Sequence, residues 1–163
     1  MTVSVREMTV DDAETVAGWL NLERVRKYLS SNLRGGTMQP GLVRAALRRP
    51  DQRWFVFTVD GEPAGAIVLD TIDETDGLAN CWYLLGDERF LGMGHTGTAL
   101  KAVLDANPAS LHCVTAWCGA PNEASIRCLQ SAGFCPVGSY TGAFVVDGKR
   151  SDRLLFERVL DPC

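Results

Sequence analysis

Apolar and polar residues alternate around Val3 and Val5, which predicts a short opening strand. Thr9-Val10-Asp11-Asp12 then reads as a capping box with Asp12 in place of Glu, and Ala13, Val16, Ala17 and Leu20 recur at i, i+3, i+4 and i+7. A helix follows. A second helical stretch is predicted over Leu22 to Leu29, a polar, glycine-bearing loop over Ser30 to Gln39, and a third helix over about Gly41 to Arg49. Arg53 to Val59 is rich in aromatic and β-branched residues and runs into Asp60-Gly61, a two-residue hairpin signal. Ala64 to Asp70 returns as the next strand, and the loop Asp73 to Gly77 turns the chain into Ala79 to Leu85. Three antiparallel strands result. A helix over Thr96 to Ala106, with Ala99, Leu100, Val103 and Leu104 on its apolar face, crosses through Asn107-Pro108 to a parallel strand, His112 to Cys118. Pro121 opens one more amphipathic helix, Gly133 stops it and Phe134 packs back; a last hairpin pairs Tyr140 to Val146 with Ser151 to Val159. No repeat or linker interrupts this order, so one domain is expected over 1–163.

The stretch Trp82 to Leu100 organises the rest. It is a buried strand, a turn containing Arg89-x-x-Gly92-x-Gly94, and a helix. Such a turn leaves unpaired backbone N–H groups at the positive end of the helix dipole, a seat for a diphosphate. A side chain at either glycine would hold a ligand off the backbone. No Gly-Lys-Ser/Thr ending marks a triphosphate loop. Gly92-x-Gly94-x-x-Gly97 fits a dinucleotide fingerprint superficially, but the preceding strand comes from an antiparallel hairpin, and no acidic residue for a ribose lies between Cys113 and Cys118.

The second signal is Asn122-x-x-Ser125 running to Ala132-Gly133-Phe134. Together and in this order, R-x-x-G-x-G-x-x-G-x-A-L and N-x-x-S-x-x-x-x-x-x-A-G-F resemble the GNAT family of N-acetyltransferases, most closely its ribosomal-protein alanine acetyltransferase branch, over Val3 to Val159. The resemblance implies an α/β fold: a mixed, mostly antiparallel sheet whose central parallel pair splays to hold acetyl-CoA, with helices on both faces. It also implies acetyl transfer to a primary amine by direct attack in a ternary complex.

On that resemblance, Leu91, Gly92, Met93, Gly94, His95, Thr96 and Gly97 take the diphosphate, and Arg89 either adds charge or shapes the turn. The pantetheine arm lies between strand ends, against Tyr83, Leu84 and Leu85, with a backbone N–H there polarising the thioester carbonyl. Asn122 pins the arm, caps its helix, or does both, and Ser125 is small enough to let the arm pass. Trp19 and Tyr28 either contact the acceptor or simply pack; Asn80 and Trp82 are counted with the acceptor side. Two positions depart from the family pattern. Leu129 stands where many relatives carry a tyrosine acid, and Asn80 where many carry a glutamate. Asp70, expected nearly opposite Asn80, is the candidate base; Tyr140 and Cys128 are candidate proton donors, with Cys128 also placed beside the cofactor.

Composition narrows the partners. The 163 residues carry a net charge of −4, which argues against a nucleic-acid binder and leaves a cationic or amine-bearing partner welcome. No apolar run approaches a membrane span, so no membrane partner and a cytoplasmic location are expected. Of the six cysteines, Cys81, Cys113, Cys118, Cys128, Cys135 and Cys163, most are expected to be reduced, small core residues. Cys113, Cys118, Cys128 and His112 lack a C-x-x-C pair, which argues against zinc. The acceptor stays open between a protein N-terminus and a small-molecule amine, and a homodimer is compatible with the resemblance. The missing Tyr and Glu keep one alternative, a coenzyme A-binding module with little turnover.

Overall fold

The computed structural model describes residues 1–160; Cys163 lies outside them. In chain order the elements are β1 (Val3–Glu7), α1 (Ala13–Asn21), α2 (Glu23–Arg26), α3 (Ser31–Arg34), α4 (Pro40–Ala46), β2 (Arg53–Val59), β3 (Glu62–Asp73), β4 (Leu78–Leu85), α5 (His95–Ala106), β5 (Cys113–Gly119), α6 (Glu123–Ser131), β6 (Cys135–Val146) and β7 (Lys149–Val159). The strands form one seven-stranded sheet in the order β1-β2-β3-β4-β5-β7-β6. All neighbours are antiparallel except β4 and β5. The mixed sheet that the resemblance implied is therefore present, with β7 inserted between β5 and β6.

Local chemistry explains most boundaries. The capping box forms, with the Thr9 N–H donating to Asp12 Oδ2 at 2.8 Å. Asp60 and Gly61 both take positive φ, 50° and 86°, as a tight hairpin turn between twisted strands requires. The C-terminus of α6 closes through a Phe134 N–H bond to the Leu129 carbonyl, which draws Phe134 into the core. The early helices are shorter than expected. Leu22 to Leu29 holds only the four residues of α2, and the Ser30 to Gln39 loop contains the short helix α3.

Each sheet face buries its own layer. Phe57, Ile67, Leu69 and Val114 pack against Leu100, Leu104 and Leu129 of α5 and α6. On the opposite face Val56, Val68 and Leu84 meet Val16, Leu20 and Val43 of α1 and α4. The alternation along β3 feeds both layers, so Ala64 through Leu69 is buried throughout. Among the described residues no helix is long and apolar enough to cross a membrane.

At Gly65 the sheet leaves no room for a side chain: a Cβ there would lie 2.2 Å from the Leu84 carbonyl oxygen and 2.5 Å from the Phe57 ring. Gly65→Ala is expected to cost about 2 kcal/mol through overpacking of β3 against β4. Urea unfolding measures it, and a loss under about 0.5 kcal/mol would contradict this contact.

Candidate active site

β4 and β5 pair only over Leu78, Ala79 and Asn80 against Cys113, Val114 and Thr115. Beyond those positions they part. Each is held on its outer side, β4 by β3 as far as Leu85↔Gly65 and β5 by β7 as far as Gly119↔Arg153, so the gap is fixed rather than frayed. The Cys113 N–H donates to the Gly77 carbonyl, while the Gly86 N–H donates across β3 to the Ala64 carbonyl. Strand alternation then turns the C=O of Cys81, the N–H and C=O of Tyr83 and the N–H of Leu85 into the gap. Backbone groups at such a place need a partner, and a ligand with amides along an extended arm supplies one. Arg24 on α2 donates to the carbonyls of Leu85 and Gly86 and so fixes the far lip. Sequence reasoning missed Arg24, because a lone arginine on a short helix carries no signal of a contact 61 residues away.

The strand end leads into the glycine turn. Gly92 and Gly94 take φ of 74° and 78°, with open space where a Cβ would stand. Their requirement is therefore the backbone dihedral, not an internal clash. Leu91 and Met93 are half exposed, and the turn ends at the N-terminus of the 12-residue α5. Together these features fit a diphosphate seat. His95 and Thr96 line the cleft in the first turn of that helix, with the His95 ring edge-on to Phe90 at 5.9 Å and Nε2 buried without a hydrogen-bond partner among the described residues. Gly97 lies where α5 crosses α6, since a Cβ there would meet Ser131 Oγ at 2.1 Å. Arg89 turns back onto Asp87, with Nη2 to Oδ2 at 2.6 Å, and does not line the cleft. Of its two expected roles, the turn-shaping one is the contact seen. Hydrogen bonding from Arg89 holds the Asp87 carboxyl below its ordinary pKa.

Across the gap, Asn122 caps α6 by accepting from the Ser125 N–H at 3.2 Å, and its side-chain amide borders the cleft. The Tyr83 hydroxyl bonds Ser125 Oγ at 2.6 Å and donates to the Ser125 carbonyl at 3.2 Å. One phenol thus ties β4 to α6 over the floor of the split. Burial pushes the Tyr83 phenol well above its ordinary pKa, Cys128 beside it up to about 12, and Cys118 up to about 11. These groups stay protonated at neutral pH and offer hydrogens without being strong acids. Leu129, where the family's tyrosine acid would stand, is sealed in the core.

The other face of the split carries the predicted carboxylate. Asp70 pairs with Asn80 in the β3–β4 register. Its Oδ1 accepts from Asn80 Nδ2 at 3.1 Å and its Oδ2 from the Trp82 indole N–H at 3.0 Å. A register shift follows at once, with Thr71 at φ 49°, an irregularity that re-aims neighbouring side chains. Tyr28 lines the same cleft and stacks on Phe144. Trp19 and Tyr140 lie apart from this cleft, Trp19 taking the packing alternative of its two expected roles. Trp19 packs its indole against Gly86 and does not line the cleft. Tyr140 sits 58% exposed on the edge strand β6, paired with Arg153, and does not line the cleft. Leu84 and Leu85 do line it. The whole cleft is about 960 Å³ and runs unbroken from the glycine turn to the surface of α2–α4.

The sequence matches the acetyltransferase (GNAT) domain over residues 3–135. No individually curated protein sequence matches it significantly. Among solved structures, spermidine N-acetyltransferase from Vibrio cholerae, solved with CoA and spermine, superposes with a TM-score of 0.81 over 97% of this chain and 95% of its own, at 16% identity. A RimL ribosomal L7/L12 alpha-N-protein acetyltransferase in complex with coenzyme A gives 0.81 over 98% and 94%, at 17% identity. A dodecameric form of the Vibrio cholerae enzyme gives 0.79 over 97% and 94%, at 16% identity. At such identities the likeness is one of fold. The domain match spans most of the chain, and the split sheet and glycine turn suit coenzyme A: the protein belongs to the GNAT family and is an acetyl-CoA-dependent N-acetyltransferase.

Proposed function

We propose that the chain acetylates a primary amine held over Asp70, with the cofactor arm in the gap between β4 and β5 and its diphosphate on Leu91 to Gly97. The observation that carries this reading is the parting of β4 from β5 directly beside the glycine turn. Acetyl-CoA, when bound, supplies the acetyl group as a thioester. The chain must then do three things: take a proton from the acceptor ammonium, place a donor at the developing oxyanion, and offer hydrogen to the departing sulfur.

Asp70 takes the first role. Its Oδ1 accepts from both Asn80 and the Thr71 hydroxyl, its Oδ2 from Trp82 alone, so Oδ2 keeps a lone pair for one ammonium while these partners hold the carboxylate in position. A gap-facing backbone N–H of β4, at Tyr83 or Leu85, takes the second. The Tyr83–Ser125 hydroxyl pair takes the third, as a hydrogen-bond donor in the family tyrosine's absence. Asn122 holds the arm from α6 while capping the helix. Cys128 is too weak an acid to lead and serves as wall. The five free thiols among the described residues support a reducing, cytoplasmic setting, and a second copy in the active assembly remains part of the proposal.

Three outcomes are expected. Asp70→Asn lowers kcat/KM for the amine by about 10²-fold or more and leaves the calorimetric Kd for coenzyme A within about twofold; retention of more than about a third of the activity removes Asp70 from the mechanism. Gly94→Ala meets no clash but strains a left-handed position by about 1–2 kcal/mol, so coenzyme A binding weakens roughly tenfold. An unchanged Kd would show that the turn does not seat the phosphates. Tyr83→Phe reduces kcat about tenfold with little change in coenzyme A affinity, whereas full kcat would mean that the hydroxyl only braces β4 against α6.

A further inference from the structure

The acceptor side of the cleft has an uneven chemistry that bears on the substrate. Its wall toward α2–α4 is built from Leu29, Leu33, Met38, Leu42 and Val43, and its floor from Trp54 and Trp82, edge to face at 5.2 Å. Among the described residues lining the cleft, Asp70 is the sole carboxylate, set against Arg24, Arg49 and Arg127. None of those three arginines is unengaged. Arg24 is spent on the Leu85 and Gly86 carbonyls, Arg49 pairs with Asp51 at 2.7 Å, and Arg127 reaches Glu123 at 3.4 Å. The lining therefore offers one site for an ammonium and no second carboxylate for another cation.

Resting on the acetyltransferase reading above, we propose that the acceptor is a small primary monoamine with an apolar body, aromatic or branched aliphatic. Its ammonium meets Asp70 between Asn80 and Trp82, and its body lies against Trp54 and the leucine-rich wall. A polyamine entering this lobe would strip water from a second ammonium without giving it a partner, a heavy penalty. A monoamine buries carbon instead, and each added methylene in the lobe strengthens it. Asp70 takes one proton from the ammonium and later returns it to water; attack of the free amine forms the C–N bond and breaks the C–S bond, and the second proton, shed by the attacking nitrogen, goes to the departing thiolate of coenzyme A. The neutral amide product then loses its attraction to the carboxylate, which favours release. This assignment differs from the spermidine and ribosomal-protein acceptors of the structural neighbours, whose likeness is of fold.

The test uses the full chain with acetyl-CoA and an acceptor series of propylamine, pentylamine, phenethylamine, spermidine and a short peptide with a free serine N-terminus. Thiol release should rise about 15-fold in kcat/KM from propylamine to pentylamine, about fourfold for each of the two added methylenes, and phenethylamine should exceed spermidine by about 10²-fold. Calorimetry with coenzyme A present should show phenethylamine binding and spermidine not. Leu42→Glu, at a position 59% exposed and so tolerant of change, should cut phenethylamine turnover about tenfold and raise that of spermidine, with the Kd for coenzyme A unchanged. Spermidine or the peptide as the best acceptor would overturn the monoamine class and leave acetyl transfer standing. A protein that binds coenzyme A yet neither binds nor acetylates any of the five would overturn both.

Discussion

One constraint governs the molecule: two parallel strands that start paired must separate without either losing its other neighbour. β4 manages it because β3 runs alongside to its end, and β5 because β7 pairs with its other edge along its whole length. The crossover through α5 imposes the parallel direction at the start of the pair, and the tail hairpin supplies the antiparallel strand that keeps β5 away. The result is an opening in the middle of a sheet, lined by backbone groups that ordinary sheet geometry would consume. Arg24 and the Tyr83–Ser125 bond brace its two sides.

From that opening follows a division of labour between the faces. Along β4, Cys81, Tyr83 and Leu85 point toward α5 and α6, while Asn80, Trp82 and Leu84 point toward α1–α4. The first face meets the phosphate turn and Asn122, which suits the cofactor. The second holds Asp70 and the tryptophans, which suits the amine. The gap lets reacting groups meet from opposite sides of one sheet, and the two helical layers act as independent walls. Only the α2–α4 wall need change to alter the acceptor.

Local signals carried much of this into the sequence. Asp60-Gly61 and the acidic loop after Asp73 set hairpins whose register follows by counting, which is why Asp70 opposite Asn80 was readable. The glycine spacing before α5 and the Asn122 cap are equally local. What escaped depends on distant placement. Tyr140 belongs to a hairpin with two register shifts, Pro136/Gly138 and Tyr140/Phe144, and counting back from Asp147-Gly148 cannot locate its side chain. Trp19 has the composition of a ligand contact, but Gly86, far along the chain, leaves a hollow that its ring fills. Ser125 read as merely small because nothing local says that a phenol from β4 reaches it. The α3 turn, four residues long, lies below what periodicity resolves.

The most direct test of the central claim is a crystal structure of the chain with coenzyme A. The account predicts the pantetheine amides paired with the gap-facing backbone of Cys81 and Tyr83, and the diphosphate against the N–H groups of Leu91 to Gly97. A cofactor bound elsewhere, or β4 and β5 zipped together past Asn80 and Thr115 with the arm on the protein's surface, would contradict it.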